Sequence, residues 1–185
     1  MNKKLISIIF LGICLLLVGC GKEVVDSKYA GKWKLESVSV GGSNGTNLKG
    51  RGMASKISFD LEIDTDGNVK ELYIDDEVAM TNSYKIKQKD GDGYQYDGPV
   101  VSKKVYSYET ESEKKNVQKV LEMVKAKDNV KIMKSEQKGN EYHLDIKEES
   151  DYVLSMELES KNLILKKVND KENIMVKETY KENKL

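Results

Sequence analysis

Apolar and polar residues alternate along most of the chain, and the clearest alternating run ends at Ile63. In this run Ile57, Phe59, Leu61 and Ile63 alternate with polar residues. A period of two places one face of a β-strand against a core and the other face in solvent. Similar alternation recurs in four later segments, at residues 84–86, 142–146, 152–158 and 174–176. The chain is therefore predicted to be mainly β.

The inward faces of these strands predict a single core. Residues 163–165 are apolar without interruption, which is typical of a strand that is buried on both faces. The residues expected to share the core are Trp33, Phe59, Leu61, Leu154, Met156 and Leu158.

Short turns rich in Gly, Asn and Asp separate the runs, for example at residues 66–67 and 138–140. Connections of this length cannot hold the crossover that parallel strands need, so neighbouring strands should be antiparallel. In the first strand the apolar positions change phase between Leu35 and Val38, which predicts a bulge or bend there.

Residues 111–128 have a helical period instead. Thr110 and Glu113 fit a capping box, and apolar residues follow at helical spacing from Val117 to Val124. Because the apolar stripe is narrow, we expect this helix to cover one opening or one face of the sheet rather than to form a second core. A helix that lies on a membrane surface is the alternative.

The first 19 residues have the layout of a secretory signal. Lysines precede an almost unbroken apolar segment at residues 5–18, and Gly19 then comes before Cys20. As a helix this segment spans about 22 Å, which is short of the roughly 30 Å hydrocarbon core of a bilayer. We therefore expect it to be a signal rather than a transmembrane helix.

The sequence Leu17-Val18-Gly19-Cys20 resembles the lipobox of bacterial lipoproteins. The resemblance implies that residues 1–19 are removed and that Cys20 becomes the lipid-bearing first residue of the mature chain. Residues 20–28 would then form the lipidated cysteine and its tether, and residues 29–185 the domain. The expected location is the extracytoplasmic face of the cell membrane.

Gly31-x-Trp33, at the start of the first strand, resembles the G-x-W signature of lipocalins and of lipocalin-like domains in bacterial lipoproteins. The resemblance implies an antiparallel up-and-down meander that closes into a barrel. Gly31 and Trp33 would close one end of it, and the other end would admit a small apolar ligand. A strongly curved open sheet crossed by the helix is the alternative.

Composition excludes several kinds of chemistry. The 185 residues carry 31 basic and 31 acidic side chains, so no overall field attracts nucleic acid. Cys14 lies in the signal and Cys20 would carry lipid, so the mature chain offers no thiol nucleophile. His143 is the single histidine, and its alternating strand should turn it towards solvent. We expect no enzyme activity, no metal and no cofactor.

Residues 64–68 start like a calcium-binding EF-hand loop, because Asp64, Asp66 and Asn68 occupy the first, third and fifth ligand positions. The pattern then fails, since Val69 stands where the loop needs glycine and Asp75 where it needs glutamate. A turn between two strands explains the same residues.

The expected function is non-catalytic binding of a small apolar or lipidic ligand by a monomeric lipoprotein. Tyr84, Tyr94 and Tyr96 are the candidate ligand contacts, as polar groups near the mouth of the barrel. Cross-strand packing is the alternative role for these tyrosines. The alternative function is an envelope interaction protein whose barrel is filled by side chains and whose surface contacts another protein or the cell wall.

Overall fold

The computed structural model of the protein describes residues 23–40, 46–47, 58–75, 77–89, 93–169 and 174–183. The predicted signal, Cys20 and Ile57 lie outside these ranges. The elements in the described ranges, in chain order, are β1 (Gly31–Val40), β2 (Thr46–Asn47), β3 (Ser58–Ile63), β4 (Asn68–Ile74), β5 (Val78–Gln88), β6 (Gly93–Tyr96), β7 (Val100–Ser107), α1 (Glu111–Lys125), β8 (Val130–Lys138), β9 (Glu141–Glu148), β10 (Val153–Glu159), β11 (Asn162–Asn169) and β12 (Ile174–Glu182).

Eight of the described strands close into an antiparallel barrel. The alternation and the short turns predict the antiparallel strands, and the resemblance at Gly31-x-Trp33 implies the closed barrel rather than the open sheet. Around the ring the order is β1, β3, β4, β5, β6, β10, β11 and β12, and β12 pairs with β1 again. Apart from the short β2, which pairs with β1 outside the ring, this is chain order with one interruption, so the barrel is an up-and-down meander. The predicted bulge is also present, because the pairing of β1 with β12 shifts register between Leu35 and Ser37.

The interruption is an insertion between β6 and β10 that contains β7, α1, β8 and β9. It joins the barrel through β5, whose first half pairs with β7 while its last residues pair with β6. β9 then pairs with β7, and β8 with β9. The barrel and the insertion therefore share β5 as a common wall.

The barrel core contains four of the six predicted residues, namely Trp33, Leu61, Leu154 and Met156. Phe59 packs against this core but is only half-buried. The prediction is wrong for Leu158, which is 37% exposed because it lies near the end of β10, beside the turn to β11. The continuous run at residues 163–165 is buried on both faces, as predicted.

The helix starts as predicted but stops earlier, at Lys125 rather than residue 128. Thr110 accepts a hydrogen bond from the Glu113 N–H, and the Glu113 carboxylate accepts one from the Thr110 N–H, so the capping box is formed. The expectation that the helix adds no second core is wrong. A second hydrophobic cluster joins α1 to β7 and β9 through Tyr106, Tyr108, Val117, Leu121, Leu144 and Ile146.

Residues 23–28, which belong to the predicted tether, pack against the folded body. Val25 is fully buried in the barrel core. The N–H groups of Val24 and Val25 donate to the Thr65 carbonyl at 2.9 and 3.1 Å. The described members of both hydrophobic clusters lie between Val24 and Tyr180.

Candidate ligand-binding cleft

The inward faces of the barrel strands change from apolar to polar along the barrel axis. On β11, Leu163 and Leu165 are followed at the same phase by Lys167 and Asn169. On β4, Val69 is followed by Glu71. Because a period of two keeps these residues on one face, the polar side chains lie inside the barrel near one end. We call this end of the barrel the cleft end. The other end, where residues 23–30 meet the β3–β4 turn, is called the closed end.

A cleft of about 780 Å³ opens at the cleft end, between the barrel and the insertion. Its floor is formed by barrel strands, and its walls by the start of β7, the segment after α1 and the connection from β9 to β10. The polar and charged lining residues include Glu71, Asn82, Tyr84, Tyr96, Ser102, Lys104, Lys127, Glu148, Glu149, Asp151, Lys167 and Glu178. This polar lining differs from the apolar pocket expected from the sequence.

An ion network of two carboxylates and one ammonium forms the floor of the cleft. Lys167 Nζ lies 2.7 Å from Glu71 Oε1 and 3.1 Å from Glu178 Oε2. The two glutamates are almost fully buried, and the lysine side chain is 13% exposed. Strands β4, β11 and β12 each supply one member, so the network crosses the barrel interior.

Neutral side chains complete the hydrogen bonding of the network. Tyr84 OH donates to Glu71 Oε1 at 2.7 Å, and Asn82 Nδ2 donates to Glu71 Oε2 at 3.0 Å. Tyr180 OH donates to Glu178 Oε2 at 2.9 Å. Glu71 thus receives two neutral donors besides the lysine, whereas Glu178 receives one.

This difference sets the pKa values of the two carboxyl groups apart. Burial alone would raise the pKa of Glu71, but the Lys167 ammonium and the hydrogen bonds from Asn82 and Tyr84 lower it below its ordinary value. For Glu178, burial dominates and the Glu71 charge adds to it, so its pKa is raised despite Lys167. The pKa of Lys167 is raised by the two carboxylates, which outweigh its burial.

Two of the three candidate tyrosines meet in the cleft. The rings of Tyr84 and Tyr96 lie edge to face with centroids 4.8 Å apart, and both side chains line the cleft. Burial raises the pKa of Tyr96 to about 12. Tyr94 is buried in the barrel core and borders a separate depression beside residues 23–29. The structure therefore does not bring Tyr94 into the same site.

Gly31 and Trp33 lie at the closed end of the barrel. Trp33 Nε1 donates to the Tyr29 carbonyl at 3.0 Å, which ties the indole to the segment that crosses this end. Gly31 has φ of +149°, a backbone conformation that favours glycine. In the neighbouring turn Gly67 has φ of +83°, and a Cβ there would lie 2.4 Å from the Ile86 carbonyl oxygen. Glycine at this turn lets the β3–β4 connection pack against β5.

The remaining candidates have ordinary structural roles. Residues 64–68 form a turn, in which the Asn68 N–H donates to Asp64 Oδ1 at 2.8 Å. His143 Nε2 lies 3.0 Å from Glu141 Oε2 at the surface of β9. Within the described ranges, no group of His, Cys, Asp and Glu side chains is arranged to hold a metal. No helix in that part of the chain is long and apolar enough to cross a bilayer.

Sequence reasoning missed the three ionic residues of the floor, Glu71, Lys167 and Glu178. Their place in the alternating pattern could have identified them. The residues two positions away from each of these charged residues face the barrel interior, so the charged side chain faces inward too. A charge at an inward position is uncommon unless it is paired.

Comparison of the chain with protein-family models, with curated proteins and with solved structures finds no match.

Proposed function

We propose that the protein is a lipoprotein, anchored through Cys20 to the extracytoplasmic face of the cell membrane, that binds a small ligand in the cleft without catalysis. It acts as a monomer. The observation that supports binding most directly is the cleft of about 780 Å³, which lies within the ordinary size range of small-molecule sites. Its lining favours a polar ligand over the apolar or lipidic ligand expected from the sequence.

The contacts of the N-terminal segment support an orientation on the membrane. Cys20 precedes Glu23 by three residues, so at most about 11 Å of chain separates a lipid on Cys20 from the segment bound to the closed end. The closed end would then face the bilayer, and the cleft would open away from it. A ligand would enter from the aqueous side rather than from the lipid.

An envelope interaction protein is the second candidate. The observation in its favour is that the closed half of the barrel is filled by side chains, among them Trp33, Leu61 and Leu163. In that case the cleft would bind no small molecule, and the protein would act through its surface.

The binding proposal is tested with a soluble chain of residues 21–185 and three dansyl probes of different charge: dansylcadaverine, dansylamide and dansylglycine. We expect saturable one-to-one binding of at least one probe, measured by the increase in dansyl fluorescence. Met80→Trp places an indole in the cleft and should remove this binding. Met133→Trp makes the same change on β8, at a side chain that is 51% exposed, and should leave binding intact. If no probe binds, the interaction protein is the better proposal.

The anchor is tested with the full chain in cells. Cys20→Ala should leave an uncut precursor without lipid, because the modified thiol and the cleavage site are lost together. Mass spectrometry would report the precursor mass, and detergent-phase partitioning would report the lipid. Normal cleavage and lipid-dependent partitioning of Cys20→Ala would contradict the assignment of Cys20.

A further inference from the structure

Among the residues that the structure describes, the ion network on the floor of the cleft holds two carboxylates and one ammonium. Glu71 and Glu178 share the ammonium of Lys167, at 2.7 and 3.1 Å. Their other contacts within the described ranges are neutral donors from Asn82, Tyr84 and Tyr180. With both glutamates ionised, the network therefore carries a net negative charge inside the barrel.

A buried net charge is unfavourable, because the low dielectric of the interior does not replace hydration by water. The network can become neutral in two ways, by taking up a proton or by taking up a second cation. The cleft gives a cation access to these carboxylates, since both glutamates line it.

The walls of the cleft do not oppose a cation. Besides Asp151, which has a partner of its own, the described wall residues hold two carboxyl groups and two amino groups. One of these amino groups, on Lys127, lies 3.5 Å from the Glu148 carboxylate in the wall. The rings of Tyr84, Tyr96 and Tyr152 also line the cleft, and aromatic rings attract organic cations.

We propose that the ligand of this cleft is an organic cation, with an ammonium or guanidinium group that binds beside Glu178 and Glu71 on the cleft floor. This inference rests on the proposed function and specifies its ligand class. The cation would supply the second positive charge of the network, and the rest of the ligand would fill the space between the barrel and the insertion.

Binding of the cation should lower the pKa of Glu178. Burial raises the pKa of this carboxyl group in the empty cleft. An ammonium at the floor favours the ionised form and therefore acts in the opposite direction. The titratable groups that act on Glu178 from the surrounding strands and from its own strand are Lys167, Glu71, Tyr84, Tyr96 and Tyr180.

The test compares the three dansyl probes, which share a ring system and differ in charge. Dansylcadaverine carries an ammonium group, dansylamide is neutral, and dansylglycine carries a carboxylate. We expect dansylcadaverine to bind residues 21–185 at least about tenfold more tightly than the other two, as one charge-assisted hydrogen bond predicts. Titrations at several pH values should show that the affinity for dansylcadaverine rises with pH, because the ammonium binds the ionised form of Glu178.

Glu178→Gln keeps the size and an acceptor oxygen but removes the charge. It should weaken dansylcadaverine binding about tenfold or more, reduce the pH dependence of that binding, and change dansylamide binding by less than about twofold. Glu122→Gln removes a carboxylate from the exposed face of α1 and should change none of these results. Circular dichroism melting of both variants would show that they are folded.

The possible outcomes separate this inference from the proposed function. If dansylamide or dansylglycine binds as tightly as dansylcadaverine, the cleft binds ligands but the cation inference is overturned. If Glu178→Gln binds dansylcadaverine as the unaltered chain does, the network has only a structural role and the inference is also overturned. If no probe binds, the proposed function fails together with the inference.

Discussion

The two ends of the barrel are built by the same strands but hold different chemistry. At the closed end Val25, Trp33 and Ile63 are buried members of one hydrophobic cluster. At the cleft end the same sheet encloses Glu71, Lys167 and Glu178. Only about two residues along a strand separate the two environments, for example between Val69 and Glu71 on β4.

The difference shows how stability and binding are divided within one barrel. Apolar burial stabilises the closed end without any requirement for exact partners. The charges at the cleft end are tolerated only because each is paired or hydrogen-bonded, and such a network is a weak source of net stability. The insertion packs beside the cleft end and contributes walls to the cleft, so the polar end is also where the meander departs from a simple barrel.

Removing Lys167, the cation of the network within the described residues, should produce the largest effect. Lys167→Met leaves two buried carboxylates without a charged partner, and we expect it to lower the free energy of unfolding by about 3–5 kcal/mol at pH 7. At pH 4 the loss should be smaller, because the glutamates can then be neutral. Urea unfolding at both pH values measures the change.

The neighbouring residue provides the control for this substitution. Lys166 pairs with Glu157 on the outer face, where both side chains are partly exposed. Lys166→Met should therefore cost about 1 kcal/mol or less. Equal losses of unfolding free energy for Lys167→Met and Lys166→Met would mean that the network at the cleft end contributes no more to stability than an exposed ion pair.

At the closed end, truncation of a buried side chain should have the next largest effect. Leu61 is 1% exposed, and Leu61→Ala should lower the free energy of unfolding by about 2–5 kcal/mol through lost burial and a cavity. Leu158→Ala makes the same truncation at a side chain that is 37% exposed, and should cost less, about 1 kcal/mol. Similar melting temperatures for the two variants would contradict the boundary of the closed-end core.

More of the fold than of the cleft could be predicted from the sequence. Alternation, short turns and the capping box identify the strands, their antiparallel pairing and the start of α1 because these features depend on neighbouring residues. The prediction that Leu158 belongs to the core fails for a different reason. The alternation places its side chain on the inward face, but it lies beside a strand end where the barrel no longer covers it. Alternation specifies the face of a strand and not the depth along the barrel.

The cleft depends on contacts between distant residues. Glu71 and Lys167 are 96 positions apart, and only the closed ring brings them together. Tyr84 and Tyr96 could be selected from the sequence as candidates, but their edge-to-face contact follows from the pairing of β5 with β6. The sequence also offers no reason to separate Tyr94 from them, because Tyr94 and Tyr96 share a face at different depths.

The smallest expected effect is a pH dependence that separates the two glutamates of the cleft end. A group whose pKa is raised by folding stabilises the protein below its unfolded-state pKa, and this contribution is lost as the pH rises through the folded-state pKa. Glu178 is such a group, whereas the lowered pKa of Glu71 gives a contribution that is lost as the pH falls. Glu178→Gln removes only the first contribution.

The stability of the unaltered chain relative to Glu178→Gln should therefore fall as the pH rises from 4 to 8, by about 1.4 kcal/mol for each unit by which folding raises the pKa. Urea unfolding across this range measures the difference, and Glu122→Gln on α1 should show no such slope. A difference that rises with pH would mean that Lys167 already balances Glu178, and the polar end of the barrel would then have no place for a second cation.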